Sequence, residues 1–434
     1  MDTTFLAAIV LAVLIFGFLA SGIWVSITLL VVGMAMMELF TPAPMGTLIA
    51  STLWDSSWGW ALTSLPLFVW MGEILFRSNL SKDMFQGLSP WVGKLPGGLL
   101  HVNVLGCGVM AAITGSSAVT CATVGRMSIP ELERHNYPVR QTIGTLAGSG
   151  TMGLLIPPSI IMIVYGVSAE QSIGRLFIAG IVPGLCLITL FMGYVIVWSL
   201  LHPREFPVQE ADQGFLAKVV ALRRLLPSVC LIALVIGSIY GGVATPTEAA
   251  VIGVVGALVL SAIYRTLSWE NFREGLMSAV RTSCMISFII ATASCLSIAV
   301  AFVDLPRELA AWVGTFNLPP YALLAVLAFL ILILGCFLEG ISIIVLTSSI
   351  MLPMVEAAGI NLIWFGIFLV ILIEAAQITP PVGFNLFVMQ SLTGKNILFI
   401  AKAALPYFML LLVLLVLITL FPLIVLGLPG MMAG

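Results

Sequence analysis

The sequence predicts an all-α polytopic membrane protein built as an inverted repeat with two re-entrant hairpins and two broken helices. Three observations carry this. Of 434 residues, 61% are hydrophobic and 8% charged, where a soluble domain holds about 25% charged residues. All basic residues except Arg175 and Arg307 can be placed on one face of a membrane, which the positive-inside rule makes cytoplasmic. A Pro-Pro pair inside an apolar stretch recurs 223 residues apart, at Pro157-Pro158 and Pro380-Pro381. At ~35–40 residues per span and loop, this length allows roughly ten to twelve crossings. Such a composition excludes a soluble enzyme or a disordered chain. A net charge of −2 offers no basic surface for nucleic acid.

The elements follow in order. The opening apolar run is too long for one span at 1.5 Å per residue, and Gly22 divides it into spans 4–20 and 23–39. A third span, 57–76, ends at Arg77, with Lys82 and Lys94 behind it. The apolar segment 97–128 lies between two basic, hence cytoplasmic, stretches, so it must enter and return on the same side. Its small polar tip, Thr114-Gly115-Ser116-Ser117-Ala118, is tolerable at depth only inside protein or against water. Stretch 141–166 must break at Pro157-Pro158, because proline lacks the amide and clashes with the preceding turn. Span 174–201 closes the first half, 1–201, and 202–218 is a polar cytoplasmic linker.

The second half, 219–434, repeats the plan upside down. Spans are expected at 219–240, 246–264 and 282–303. A hairpin follows at 319–355, interrupted at Glu339-Gly340-Ile341-Ser342, with both ends outside. Then come a broken span at 361–392 and a span at 398–426. Paired broken helices at matching positions of inverted halves are the best sequence pointer to a transporter binding site.

The motifs form a recognisable set. Gly115-Ser116-Ser117-Ala118-Val119-Thr120, Gly148-Ser149-Gly150-Thr151, Ile156-Pro157-Pro158-Ser159 and Gly180-Ile181-Val182-Pro183-Gly184 stand in the first half. Ala244-Thr245-Pro246-Thr247-Glu248-Ala249-Ala250 and Thr379-Pro380-Pro381-Val382-Gly383 stand in the second. Together they resemble the large membrane (M) subunit of TRAP, the tripartite ATP-independent periplasmic transporters, over nearly the whole chain. The resemblance implies sodium-coupled uptake of a small organic anion across a bacterial inner membrane. It also implies a periplasmic substrate-binding protein, a small four-helix membrane subunit and an elevator mechanism. No stretch of this chain is left over for the small subunit, so a separate one is expected.

Sodium, the implied coupling ion, prefers oxygen ligands, which transporters take from unwound carbonyls and helix ends. One candidate site is Gly115, Ser116 and Ser117 with Gly150 and Thr151. Its counterpart is Glu339, Gly340 and Ser342 with Gln377 and Thr379. Glycine permits the backbone turns that bring carbonyls to an ion. An anionic substrate suits the half-helix N-termini after Pro158 and Pro381. Ser117, Ser159 and Asn385 are placed to hydrogen-bond it, and Gly383 and Glu339 belong to the same set.

Acids inside spans are functional candidates by default. Glu339 qualifies at a hairpin tip. Glu374, over a turn before Pro380, reads as structural, and Glu248 as a helix-dipole partner. The seven cysteines lie in or beside apolar runs without a C-x-x-C pair and read as buried packing thiols. No metalloprotease, esterase or nucleotide-binding motif occurs, so no enzyme and no cofactor beyond the ion are expected. The competing reading is a sodium/dicarboxylate symporter of similar hairpin architecture that needs no binding protein.

Overall fold

The computed structural model describes residues 3–57, 59–78, 80–207, 214–223, 225–308, 311, 319–381 and 383–431. Among these every regular element is a helix. Five helices are long and apolar enough to cross a membrane, and seven shorter ones are apolar.

The first half runs α1 (Thr3–Ala20), α2 (Val25–Phe40), α3 (Met45–Ser57), α4 (Ser64–Phe76) and α5 (Leu80–Val92). A helical hairpin follows, α6 (Leu100–Thr114) and α7 (Ser117–Arg134). Next stands a broken helix, α8 (Val139–Gly150) and α9 (Ile160–Ser168), and then α10 (Ile173–Leu201). The second half runs α11 (Gly214–Leu222), α12 (Leu226–Tyr240), α13 (Pro246–Ile263) and α14 (Trp269–Phe302). Its hairpin is α15 (Pro320–Gly335) and α16 (Gly340–Ala357), its broken helix α17 (Leu362–Ala376) and α18 (Phe384–Thr393). The chain ends in α19 (Ile397–Leu420) and the short α20 (Leu423–Leu426).

The two halves keep step. Ser117 and Gly340 open equivalent hairpin arms, and Val139 and Leu362 equivalent broken helices, each pair 223 residues apart. Both Pro-Pro bonds are cis. The halves also exchange partners, α7 packing on α18 and α9 on α16. Exchanging the two halves maps one of these contacts onto the other.

Three expected spans differ in detail. Within stretch 57–76, α3 ends at Ser57 and a 3-10 turn, Trp60–Thr63, leads directly into α4 at Ser64. Stretch 219–240 divides into α11 and α12. Stretch 282–303 covers only the C-terminal part of the 34-residue α14. Arg273 and Arg281 lie within one continuous helix, because charge limits burial without stopping helical hydrogen bonding. Within the linker, 208–213 lie outside the described residues, as does Val382 of the second proline motif.

The core of α2, α4, α13 and α14 is mostly apolar, and a polar tie stands at the end of α4. Arg77 pairs with Glu73 at 3.3 Å and with Glu274 at 2.5 Å, and Ser278 donates to Glu73 at 2.6 Å. Helix α13 starts in a capping box: the Thr245 amide donates to Glu248 at 2.8 Å and the Glu248 amide to Thr245 Oγ1 at 3.4 Å. Such a cap stabilises the helix by ~1 kcal/mol. The thiols are not all buried, since Cys230 and Cys284 are exposed and Cys186 half-buried. They face outward from apolar helices.

Candidate functional site

Both hairpin tips come to the two helix breaks. At the first tip, α6 ends on Gly115 with φ 59°, a left-handed conformation that glycine reaches without strain. The Gly115 carbonyl accepts the Ile160 amide at 3.4 Å, joining the tip to the start of α9. The Thr114 and Thr120 hydroxyls stand 2.8 Å apart across the tip, and Thr114 donates to the Ser116 carbonyl at 3.2 Å. Gly153 packs on the Ser116–Ser117 peptide so closely that an added Cβ would stand 2.5 Å from the Ser116 carbonyl carbon and oxygen.

The second tip reaches the same place. Ser117 donates to Gln377 Oε1 across the two halves. A Cβ on Gly340 would stand 3.6 Å from Gln377 Nε2 and 2.6 Å from Ile373. Gln377 therefore lies where the tips converge, 4% exposed, and its own carbonyl accepts the Asn385 amide at 3.1 Å.

Of the first cluster, Ser117 and Thr151 are buried, and Thr151 Oγ1 donates to the Gly148 carbonyl at 2.8 Å. Gly150 is helical and rests on Cys121. Ser116 is half-buried with an extended backbone and makes no side-chain cap. Of the second cluster, Gly340 and Ser342 are buried in the first turn of α16. Thr379 Oγ1 donates to the Ala375 carbonyl at 2.8 Å. Glu339 precedes α16 as its N-cap residue, yet its side chain makes no cap bond and is exposed. These clusters gather hydroxyls and carbonyls with free lone pairs, the donor set a hard monovalent cation takes.

The breaks are not equivalent. Pro157, Pro158 and Ser159 are buried. The Ser159 hydroxyl donates to the Leu154 carbonyl at 2.5 Å and accepts the Met162 amide at 3.4 Å, capping α9. That engagement commits its one proton to the Leu154 carbonyl in this structure. Pro380 and Pro381 are exposed. Helix α18 starts behind them at Gly383, φ 35°, without a side-chain cap. Asn385 is fully buried and neither of its side-chain polar atoms has a hydrogen-bond partner. Sequence reasoning missed Gly153 and Thr120; the run Thr151-Met152-Gly153 was the available signal, a small residue beside a small tip.

A cavity of 490 Å³ opens between α3 and α14 on one side and α9 and α16 on the other. Hydroxyls of Thr52, Ser294 and Ser348 line it, together with Asp55 and Glu170. Ser297 of α14 and Ser349 of α16 share a hydrogen bond across it.

With this geometry in hand, comparison with known proteins is decisive. The family described as "Tripartite ATP-independent periplasmic transporter, DctM component" matches residues 12–424. The chain belongs to the DctM family. It is 35% identical to the C4-dicarboxylate TRAP transporter large permease protein DctM of Pseudomonas aeruginosa, over 90% of this chain and 91% of that one. It is 30% identical to the isethionate TRAP transporter permease protein DctMQ of Oleidesulfovibrio alaskensis, over 97% of this chain and 66% of that one. In fold it is similar to the YdaH transporter of Alcanivorax borkumensis, with a TM-score of 0.66 at 14% identity, over 94% of this chain and 98% of that one. A DctM-family chain is a multi-pass protein of the bacterial inner membrane and one component of a three-part transporter.

Proposed function

We propose that this DctM-family chain is the large membrane subunit of a sodium-coupled importer of a small organic anion, a carboxylate or a sulfonate. It works as a permease, not as an enzyme. Its partners are a small four-helix membrane subunit and a periplasmic binding protein. The relatives named for C4-dicarboxylate and isethionate transport support the anion class. The observation that carries the reading is the convergence of both hairpin tips on Gln377 between two broken helices. Cations meet carbonyls and hydroxyls at Gly115–Ser117 and Thr151, and at Gly340–Ser342, Gln377 and Thr379. Anion recognition rests on the start of α18, with Ser117 and Glu339 about it.

In the elevator reading, the hairpins and broken helices move as one body against α2, α4, α13 and α14. The cavity bridged by Ser297 and Ser349 lies on that sliding surface. The hairpins are then re-entrant, and a cysteine at Lys82 or Pro130 labels only from the cytoplasm.

The test is uptake in proteoliposomes holding this chain and the small subunit encoded beside it. The binding protein encoded there, loaded with its own ligand, is added outside. Uptake that needs both an inward sodium gradient and the binding protein supports the reading. Uptake without the binding protein would make the chain a self-sufficient symporter, and uptake driven without sodium would remove the coupling assignment.

A further inference from the structure

Helix α17 holds one ionisable residue, Glu374, in an otherwise apolar sequence. Over a turn from the Pro-Pro pair, it reads from sequence as structural, but its surroundings say otherwise. The side chain is 0% exposed, and neither carboxylate oxygen meets a hydrogen-bond donor at bonding distance. The Leu155 backbone, in the break of the other repeat, faces the carboxyl without reaching hydrogen-bond geometry. Asn385 lies in the same break as Glu374: its amide bonds the carbonyl of Gln377, one turn beyond Glu374. It too is 0% exposed with both side-chain polar atoms unpartnered.

Nothing in the described structure neutralises the carboxylate. The elements packed on α17 are α9, α10, α15, α16, α19, α20 and the turn Thr151–Gly153. Their charged side chains are Arg175, Glu356 and Lys402, all exposed. Their phenols are Tyr165, Tyr194, Tyr321 and Tyr407. Tyr165 donates to the Leu362 carbonyl, at the far end of α17. No side chain of these elements hydrogen-bonds Glu374. The carboxylate also sits in the last turn of α17, where the helix dipole is negative and unpaired carbonyls accumulate. A buried anion in that position requires a positive charge beside it, and a half-helix C-terminus is where transporters hold one.

We infer that Glu374 and Asn385 form a monovalent-cation site at the seam of the two breaks, one turn from the Gln377–Thr379 cluster and additional to both sodium candidates. It rests on the cation-coupled reading above. The carboxylate supplies the charge and the Asn385 carbonyl a neutral oxygen. Either a sodium ion or a proton meets this need.

The purified chain in nanodiscs is titrated with radioactive sodium in choline buffer, and the protons released on sodium addition are counted. Glu374→Gln keeps the shape and removes the charge. Asn385→Ala keeps the charge and removes the neutral ligand, which guards against a Gln variant that does not fold. The expected result for Glu374→Gln is one sodium fewer per chain, which names sodium as occupant. One titratable proton fewer with the sodium count unchanged names the proton. Asn385→Ala weakens whichever ion is lost. Unchanged sodium and proton counts in both variants, each eluting as the parent does, overturn the site. Ser117→Ala is run beside them. If it lowers sodium affinity while Glu374→Gln and Asn385→Ala do nothing, this site alone falls. If none of the three has any effect, the cation-coupled reading falls with it.

Discussion

Replacing Ser117 by alanine tests the convergence of the tips directly. The Ser117 hydroxyl is the donor to Gln377 Oε1, and the two residues are 3% and 4% exposed. Water therefore does not replace the lost donor, and Gln377 keeps a buried acceptor with no partner. Stranding such a group costs about 1–3 kcal/mol. That penalty falls on the geometry in which the tip is closed on the break. A ligand that binds only this geometry loses affinity by the same free energy, about 5–150-fold. The assay is the sodium concentration giving half-maximal uptake, paired with a melting curve. Gln377→Leu removes the acceptor, and the double variant Ser117→Ala/Gln377→Leu removes both polar groups, which is nearly neutral when both partners go together. The cycle should show a coupling energy of about 0.5–3 kcal/mol. Additive single effects, with sodium dependence unmoved by Ser117→Ala, would refute the claim that this bond holds the site together.

Three further outcomes are expected. Gly153→Ala drives a methyl into the Ser116 backbone, which cannot yield as a side chain can; it should lower stability by about 1–3 kcal/mol, read as a depressed melting temperature, whereas an unchanged melt would mean the tip is not seated on the turn. Ser297→Cys with Ser349→Cys places two thiols across the cavity between α14 and α16; oxidation should stop uptake and reductant restore it, and full uptake in the cross-linked protein would deny movement between these helices. Ser159→Ala removes the cap of α9 and should cost roughly 0.5–2 kcal/mol of stability with the substrate affinity unchanged; a fall in affinity at constant stability would return Ser159 to the substrate site.

Glycine and proline made the tips and breaks legible, because each imposes a backbone event at its own position. Gly115 needs a left-handed turn and Pro157-Pro158 ends a hydrogen-bond ladder, whatever surrounds them. Helix ends elsewhere were harder to read. Charges at Arg273 and Arg281 suggested a loop, yet α14 runs through both; a charged residue limits burial and leaves the backbone free to stay helical. Helix α5 escaped notice for the related reason that an amphipathic stretch of 13 residues lacks the continuous apolar run of a span. Site chemistry was legible by residue type and not by partner. Ser117 and Ser159 look alike in sequence, but one reaches 260 residues along the chain to Gln377 while the other caps its own helix. No local pattern distinguishes those fates, since the long-range contact depends on how two repeats pack.

The matched Pro-Pro motifs invite an assumption that the two breaks do matched work, and the packing argues against it. The first break is enclosed, its proline pair buried and its serine committed. The second is open, with Pro380 and Pro381 exposed and Phe384 and Phe387 each about half exposed at the start of α18. In the proposed function the exposed second break, not the enclosed first, receives the anion. Under the second break, out of reach of water, lie the two unpartnered groups of the seam, Glu374 and Asn385. Repeats that begin as copies can diverge in this way because a transporter needs one polar face for its cargo and a dry interior for its driving ions. A single break serving both would expose the ions to water whenever the cargo entered. The division of an open break above a buried carboxylate keeps the two apart by a turn of helix, close enough for the occupancy of one to alter the geometry of the other.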